Sequence, residues 1–131
     1  WIDVASPEFL AIAHRHLALV YPSCSEGQNG GAVTCMHAGL IPLLSRESGI
    51  DLDAEYGVEL VSSSLEEIRG RVLELAARPP AELDAMSRSA WEWVRAHHTR
   101  EQFSRVYRSS VLEILERFRP ALARSVRERG A

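Results

Sequence analysis

Short apolar runs alternate with helix-like segments through the first half of this 131-residue chain, and this alternation constrains the fold more than any other feature. The runs are Trp1–Val4, Leu17–Tyr21, Leu40–Leu44 and Gly57–Val61, each the length of a β-strand. Leu17–Tyr21 is uncharged and stops at Pro22, which is typical of a strand covered on both faces. Because strands separated by helices pair in parallel, we predict an α/β protein with a Rossmann-like parallel sheet and flanking helices.

Two of the predicted helices lie between these runs. Ser6-Pro7-Glu8 has the order of a cap, a first-turn proline and an acid at a helix start. Residues Ala32–Ala38 are predicted to form a second helix, closed by Gly39 in the left-handed conformation.

The second half of the chain is predicted to be helical. Two pairs have the spacing of a capping box: Ser64 with Glu67, and Thr99 with Gln102. Pro79-Pro80 ends one helix and opens the next. The last helix, from Thr99 to Pro120, has apolar residues on one face: Phe103, Val106, Tyr107, Val111, Ile114, Leu115 and Phe118. Residues 1–131 are therefore interpreted as a single, partial Rossmann-like domain, within which residues 99–131 form a C-terminal helix and a basic tail.

The charge is divided along the chain. Through His98 there are 7 Arg and 14 acids, net −7, and from Thr99 there are 8 Arg and 4 Glu, net +4. Arginines on the solvated face of a helix explain this simply, and a tail lying on anionic lipid at the membrane periphery is the alternative. We predict no nucleic-acid partner.

Cysteine content and chain ends bear on the compartment. Cys24 and Cys35 are too few for a disulfide scaffold and lack zinc-site spacing, so we expect reduced thiols in a cytoplasmic protein. No apolar run approaches the ~20 residues of a membrane-spanning helix. Because the chain opens on Trp1 inside a predicted strand, we interpret it as a fragment of a longer protein.

The segment Pro22–Gly31 follows a predicted strand, at the position where open α/β sheets bind ligands. Its three glycines let backbone amides approach a ligand, and the helix that begins near Gly30 favours an anion. Glu26 suits vicinal hydroxyls better than phosphate. A ligand that contains both phosphate and several hydroxyl groups, such as a nucleotide sugar, fits these two preferences. The alternative is that Asn29-Gly30 is a plain turn and Glu26 a solvated loop acid.

Two segments resemble the donor site of the family 4 glycosyltransferases of the GT-B fold: Pro22-Ser23-Cys24-Ser25-Glu26-Gly27 and Met36-His37-Ala38-Gly39-Leu40-Ile41-Pro42. That family commonly has Pro-Ser, two residues, Glu-Gly, a glycine-containing turn, a helix and Gly-x-Pro. Here one more residue separates Gly39 from Pro42. The resemblance covers nearly the whole chain and implies a partial GT-B C-terminal domain, the second half of the nucleotide-binding domain.

The resemblance implies roles for individual residues. Glu26 matches the first glutamate of the family's paired-glutamate motif, whose carboxylate receives donor-sugar hydroxyls near the reacting carbon. The position of the second glutamate, which binds the ribose, is taken by Thr34, whose hydroxyl bonds more weakly than a carboxylate. The rest of the donor-binding loop, where amides face the sugar and diphosphate, comprises Ser25, Gly27, Gln28, Asn29, Gly30 and Gly31.

The implied reaction is transfer of a sugar from a nucleoside diphosphate to a glycan or lipid acceptor with retained anomeric configuration. It implies no cofactor or metal besides the donor substrate. The family's basic diphosphate contacts and acceptor site precede the position of Trp1, so this chain alone is expected to be inactive. The alternative is a non-catalytic Rossmann-like module that binds a nucleotide or a partner through the same loop.

Overall fold

The computed structural model describes residues 2–128. The elements, in chain order, are α1 (Pro7–Ala13), β1 (Ala18–Tyr21), α2 (Gly30–His37), β2 (Ile41–Ser45), β3 (Val58–Leu60), α3 (Leu65–Ala76), α4 (Pro80–His97), α5 (Arg100–Phe118) and α6 (Pro120–Glu128). A short 3-10 turn, Arg46–Ser48, follows β2. The chain divides into two compact units between Arg95 and Ala96.

The strands form a parallel sheet in the order β1-β2-β3, flanked by helices. Ala18 lies opposite Ile41, and Ser45 lies opposite Leu60. All five residues of the central strand β2 are buried, as expected for a parallel strand with helices on both faces. The predicted α/β class and parallel pairing are confirmed.

The prediction that the apolar run ending at Tyr21 is covered on both faces is wrong. Within residues 2–128 strand β1 pairs only with β2, and Val20 and Tyr21 are each 38% exposed. Since an edge strand has a neighbouring strand on one side only, its side chains are more exposed to solvent than those of the central strand β2. Continuous apolar character alone did not distinguish an edge strand from a central one.

The predicted strand at Trp1–Val4 is also wrong for its described part, and Trp1 lies outside the described residues. Asp3 organises a turn here: its carboxylate accepts a hydrogen bond from the Ala5 amide at 2.9 Å, and its carbonyl accepts one from the Ser6 amide at 2.9 Å. A short acidic side chain offers the backbone a local acceptor that competes with strand pairing.

The predicted N-caps are confirmed. Each cap hydroxyl accepts a hydrogen bond from an amide three residues on, at 3.1–3.2 Å: Ser6 from Phe9, Ser64 from Glu67, and Thr99 from Gln102. These bonds satisfy amides that have no partner inside the first helical turn.

Gly39 ends α2 as predicted, with a φ of 87°. The Leu40 amide donates to the Cys35 carbonyl and the Gly39 amide to the Met36 carbonyl, the two bonds of a Schellman motif. The Ser87 hydroxyl donates to the Gly39 carbonyl at 2.6 Å, which joins this helix end to α4.

The core lies on both faces of β2. Ile41 and Leu43 pack with Leu75 of α3 and Met86 of α4, and Leu44, on the opposite face, packs with Ala32 of α2. This split follows from the alternation of side chains along a strand. A third cluster joins α2 and α4: Met36, Tyr56, Ala90 and Val94, with Trp93 stacked on Tyr56 at 5.1 Å.

The end of the chain differs from the predicted basic tail. Pro120 ends α5 as expected, but it is also the first residue of a further helix, α6, whose Ala123 is buried. Proline suits the first helical position because its missing N–H would have no partner there. Arg129 of the predicted tail lies outside the described residues.

We predict that Leu44→Ala lowers the free energy of unfolding by about 2–5 kcal/mol, because it removes a side chain that is 0% exposed and leaves a cavity. Leu65→Ala is the matched control, since Leu65 is 87% exposed and should change stability by less than about 0.5 kcal/mol. Urea denaturation of the two variants measures the difference. Equal losses would contradict the placement of β2 at the centre of the core.

Candidate functional site

The candidate site lies where the parallel strands end. Residues 22–29 connect β1 to α2, and the segments that follow β2 and β3 start at the same edge of the sheet because all three strands run in one direction. This edge is where ligands bind in open α/β sheets. The predicted site residues from Ser25 to Thr34 all belong to this connection and to the helix it enters.

The start of α2 presents two unused donors. Asn29 is the cap: it is 5% exposed, and its side-chain oxygen accepts a hydrogen bond from the Ala32 amide at 2.9 Å. The amides of the next two residues, Gly30 and Gly31, donate to no acceptor within residues 2–128. Asn29-Gly30 opens a helix and does not join two antiparallel strands, so the part of the alternative that makes these two residues a hairpin turn is wrong.

Glu26 is exposed, and its hydrogen bonds point to the end of β1. Its Oε1 accepts from the Tyr21 hydroxyl at 3.1 Å and, at the longer distance of 3.4 Å, from the Ser23 hydroxyl. Within the described residues the carboxylate makes no hydrogen bond to the start of α2, and Oε2 makes none at all. The loop therefore holds one carboxylate oxygen and leaves the other free to accept.

Thr34 lies one turn into α2, where its hydroxyl donates to the Gly30 carbonyl at 2.8 Å. The proton of this hydroxyl is thus used within the helix, and the oxygen keeps lone pairs that can accept. Thr34 can accept a hydrogen bond from a hydroxyl group, but it cannot donate one without breaking the bond to Gly30.

The turn after β2 holds this loop in place, a feature that sequence analysis missed. The Glu47 carbonyl accepts from the Glu26 amide at 2.9 Å, and the Ser48 carbonyl accepts from the Asn29 amide at 3.1 Å. Gly49 has a φ of 70°, and a Cβ at this position would lie 2.4 Å from the Gly27 carbonyl oxygen. The glycine was visible in the sequence, but its contact with a loop about twenty residues earlier was not.

Two polar atoms are buried at the base of the loop without a hydrogen-bond partner within residues 2–128: Asn29 Nδ2 and Ser48 Oγ. They belong to residues whose backbones bond each other. An unsatisfied buried polar group costs about 1–3 kcal/mol, and such groups are often found where a protein receives a ligand or an ordered water. The loop base thus retains unused hydrogen-bonding capacity.

The backbone amides of the loop after β3 are already hydrogen-bonded to a carboxylate of the same chain. Glu67 accepts hydrogen bonds from three successive amides at 2.7–2.8 Å, those of Val61, Ser62 and Ser63, and from the Ser62 hydroxyl at 2.9 Å. In a standard capping box the glutamate carboxylate accepts a hydrogen bond from the amide of the cap residue, here Ser64. The carboxylate of Glu67 instead binds the amides of the three residues that precede Ser64. The Val61 amide is the largest of the contributions that lower the pKa of Glu67 to about 2.

Among residues 2–128, Cys35 and the potential metal ligands give no sign of a second site. Cys35 is partly buried, which raises the pKa of its thiol, so a reactive thiolate is disfavoured. In the part of the chain that the structure describes, no group of three or more His, Cys, Asp or Glu side chains could hold a metal ion. Among residues 2–128 no helix has both the length and the apolar character needed to cross a bilayer.

No protein-family model matches this chain, and comparisons with curated proteins and with solved structures found no match.

We predict that the Glu67 carboxyl titrates near pH 2, since three amides stabilise its charged form. Because the folded pKa is depressed, the resulting stability is present above the usual value of 4.5 and is lost as the pH falls from there toward about 2. An NMR titration of the carboxyl carbon measures the midpoint. A midpoint near 4.5 would contradict the three-amide arrangement, and Glu67→Gln should flatten the pH dependence of unfolding in this range.

We predict that Gly49→Ala destabilises the protein by about 1–3 kcal/mol, because the new Cβ strains a left-handed backbone and collides with the Gly27 carbonyl. Gly70→Ala is the matched control: a Cβ there meets nothing within 4 Å, and alanine favours the α3 helix by up to about 1 kcal/mol. Thermal unfolding of both variants, with amide spectra of residues 25–31, tests this. Similar behaviour of the two would exclude a tight contact between turn and loop.

Proposed function

We propose that this chain is the donor-binding part of a retaining glycosyltransferase of the GT-B fold, acting on a nucleoside-diphosphate sugar. The observation that carries the proposal is the pair of unused amides at Gly30 and Gly31, which open a helix at the end of a parallel strand, four residues after an exposed carboxylate. The motifs around Glu26 and Gly39, which resemble those of the family, support this choice of family.

The diphosphate is assigned to the start of α2. Unpaired amides and the positive end of the helix dipole attract an anion, by about 0.3–1 kcal/mol when exposed. The glycines support this assignment because the fold itself does not need all of them: Gly27 and Gly30 lack a left-handed backbone, and a Cβ at either meets nothing within 4 Å. A phosphate lying against the backbone gives a physical reason for side chains to be absent at these positions.

The sugar is assigned to Glu26. A carboxylate is a strong acceptor for hydroxyl groups and repels phosphate, so Glu26 suits the hexose side of the donor. Its Oε1 is oriented by Tyr21 and its Oε2 is available for a sugar hydroxyl. Thr34 is assigned to the ribose as an acceptor, with a weaker hold than a glutamate would have.

In the proposed reaction the bond between the anomeric carbon and the diphosphate oxygen breaks, a bond from that carbon to the acceptor oxygen forms, and the acceptor hydroxyl passes its proton to the departing diphosphate. Negative charge develops on the departing diphosphate. Amides already oriented at Gly30 and Gly31 would stabilise this charge without reorganising, which is the general advantage of preformed donors. The acceptor, a glycan or lipid, is assigned to another domain of the parent enzyme.

A non-catalytic nucleotide-binding module is the second candidate, and one observation favours it. The described hydrogen bonds of the Glu26 carboxylate go to the end of β1 and not to α2. A protein that uses only the Gly30 and Gly31 amides would bind a nucleotide without recognising its sugar.

We predict that UDP, GDP or ADP perturbs the amide signals of residues 25–34 in the 131-residue chain, and that the matching glucose-linked nucleotide binds more tightly. Gly30→Ala should weaken nucleotide binding on the order of tenfold, because its Cβ occupies the space of the phosphate. Glu26→Gln should keep nucleotide binding and remove the gain from the sugar, because the amide cannot replace a charged acceptor. NMR titration measures all three.

Gly70→Ala is the control variant and should leave every affinity unchanged. Nucleotide binding without a contribution from the sugar would support the non-catalytic module over the glycosyltransferase. If none of the nucleotides perturbed residues 25–34, both proposals would be rejected.

A further inference from the structure

Strand β3 has one edge without a neighbouring strand, since within residues 2–128 it pairs only with β2. The backbone N–H and C=O groups along such an edge can pair with a further extended chain. A hollow of about 320 Å³ lies against this edge, and its lining includes Val58, Glu59 and Val61 but no residue of β2. Val61, directly after the strand, is 79% exposed. The described part of the chain therefore leaves the edge of β3 accessible.

The two walls of this hollow lie on opposite faces of the sheet. One wall is formed by Arg71 of α3 and by Arg78, two residues beyond the end of that helix. This is the face on which Val58 packs with α3. Residues 52–54 form the other wall, on the face of Leu44. Because the side chains of a strand alternate between faces, a chain paired with β3 would place every second side chain against each wall.

The wall on the α3 side is cationic. Arg78 is half-buried, and within residues 2–128 its one acceptor is the Met86 sulfur at 3.3 Å, which accepts hydrogen bonds weakly. Arg71 pairs with Glu74 at 3.1 Å, and an exposed pair of this kind contributes about 0–1 kcal/mol. Since a guanidinium group has five N–H donors, both arginines keep donors for an external carboxylate.

The opposite wall is anionic. Asp53 belongs to it, and Glu59 points to the same face because it follows Val58 in the strand. Neither carboxylate forms an ion pair with the part of the chain that the structure describes. Asp53 uses one oxygen within its own turn, where Oδ1 accepts from the Glu55 amide at 2.9 Å. The two walls thus have opposite charge.

We propose that the free edge of β3 binds an extended peptide segment of a partner protein, in which acidic and basic side chains alternate. The segment adds a strand to the sheet, with its acidic side chains against Arg71 and Arg78 and its basic side chains against Asp53 and Glu59. In strand addition the main-chain hydrogen bonds give affinity and the alternate side chains give specificity. The proposal is independent of the glycosyltransferase assignment.

A second copy of the chain does not suit this edge. Two-fold pairing of β3 with itself is antiparallel and, about the centre of the strand, places Glu59 opposite the same residue of the other copy. Like charges directly opposite each other destabilise a strand pair. A wholly acidic or wholly basic peptide would match one wall and be repelled by the other, so the two walls together favour alternation.

The test is an NMR titration of the 131-residue chain with two blocked peptides of roughly eight residues and equal composition. In one peptide glutamate and lysine alternate. In the other, pairs of glutamates alternate with pairs of lysines, so that each face of an extended chain has both charges. We expect the alternating peptide to perturb the amide signals of residues 52–61 and to bind at least about fivefold more tightly. The same peptide with methylated backbone nitrogens should not bind, because it cannot donate to the strand edge.

Arg71→Gln with Arg78→Gln should weaken binding of the alternating peptide by at least about fivefold, and Glu59→Gln, on the opposite wall, by about threefold. Arg69→Gln with Arg88→Gln is the charge-matched control, since both residues are exposed and neither lines the hollow. It should bind like the unchanged chain, and circular dichroism should show that all variants remain folded.

Equal affinity of the two peptides, binding that survives methylation, or an equal loss in the control variant would overturn the proposal. Light scattering that shows a dimer dissociated by the alternating peptide would also overturn it, by assigning the edge of β3 to a second copy.

Discussion

The parallel pairing of β2 with both of its neighbours is the constraint on which the described sheet and site depend. All five residues of β2 are buried, so both faces of the strand need cover, which comes from α2 on one side and from α3 and α4 on the other. Parallel pairing also requires each connection to cross from one end of the sheet to the other. The ends of three strands consequently meet at one edge, and the candidate site lies there.

Two loops at that edge differ in whether their backbone amides have hydrogen-bond acceptors. After β3, three successive amides bind the carboxylate of Glu67, so this position already holds an anion from its own chain. After β1, the amides of Gly30 and Gly31 have no acceptor within the described residues, while the turn at Ser48 and Gly49 holds the loop in place. The contrast supports the proposal that the start of α2 binds an external anion.

Helices α4 and α5 show that one sequence pattern, apolar residues at spacings of three and four, can have two structural outcomes. Apolar residues at spacings of three and four predicted the helix that became α5, and the helix is present. Its row from Phe103 to Phe118 is nonetheless exposed, whereas the apolar face of α4 packs through Ala90 and Val94 into the core. Periodicity reports that one face is apolar, and the neighbouring elements decide what that face contacts.

The sequence alone was sufficient to predict the helix starts at Ser6, Ser64 and Thr99 and the left-handed helix end at Gly39, because each depends on residues within a few positions. It was also sufficient to predict the parallel sheet, because parallel pairing follows from the order of strands and helices. The candidate loop was also located from sequence, although its proposed ligand stays a prediction. Only the tertiary structure decided that β1 is an edge, that Glu26 faces Tyr21, and that the turn at Gly49 holds the loop. The position of β1 at the edge of the sheet and the hydrogen bonds between the turn at Gly49 and the loop depend on contacts between residues that are distant in sequence. The direction of the Glu26 side chain depends on the path of its loop. Neither local propensity nor periodicity encodes these features.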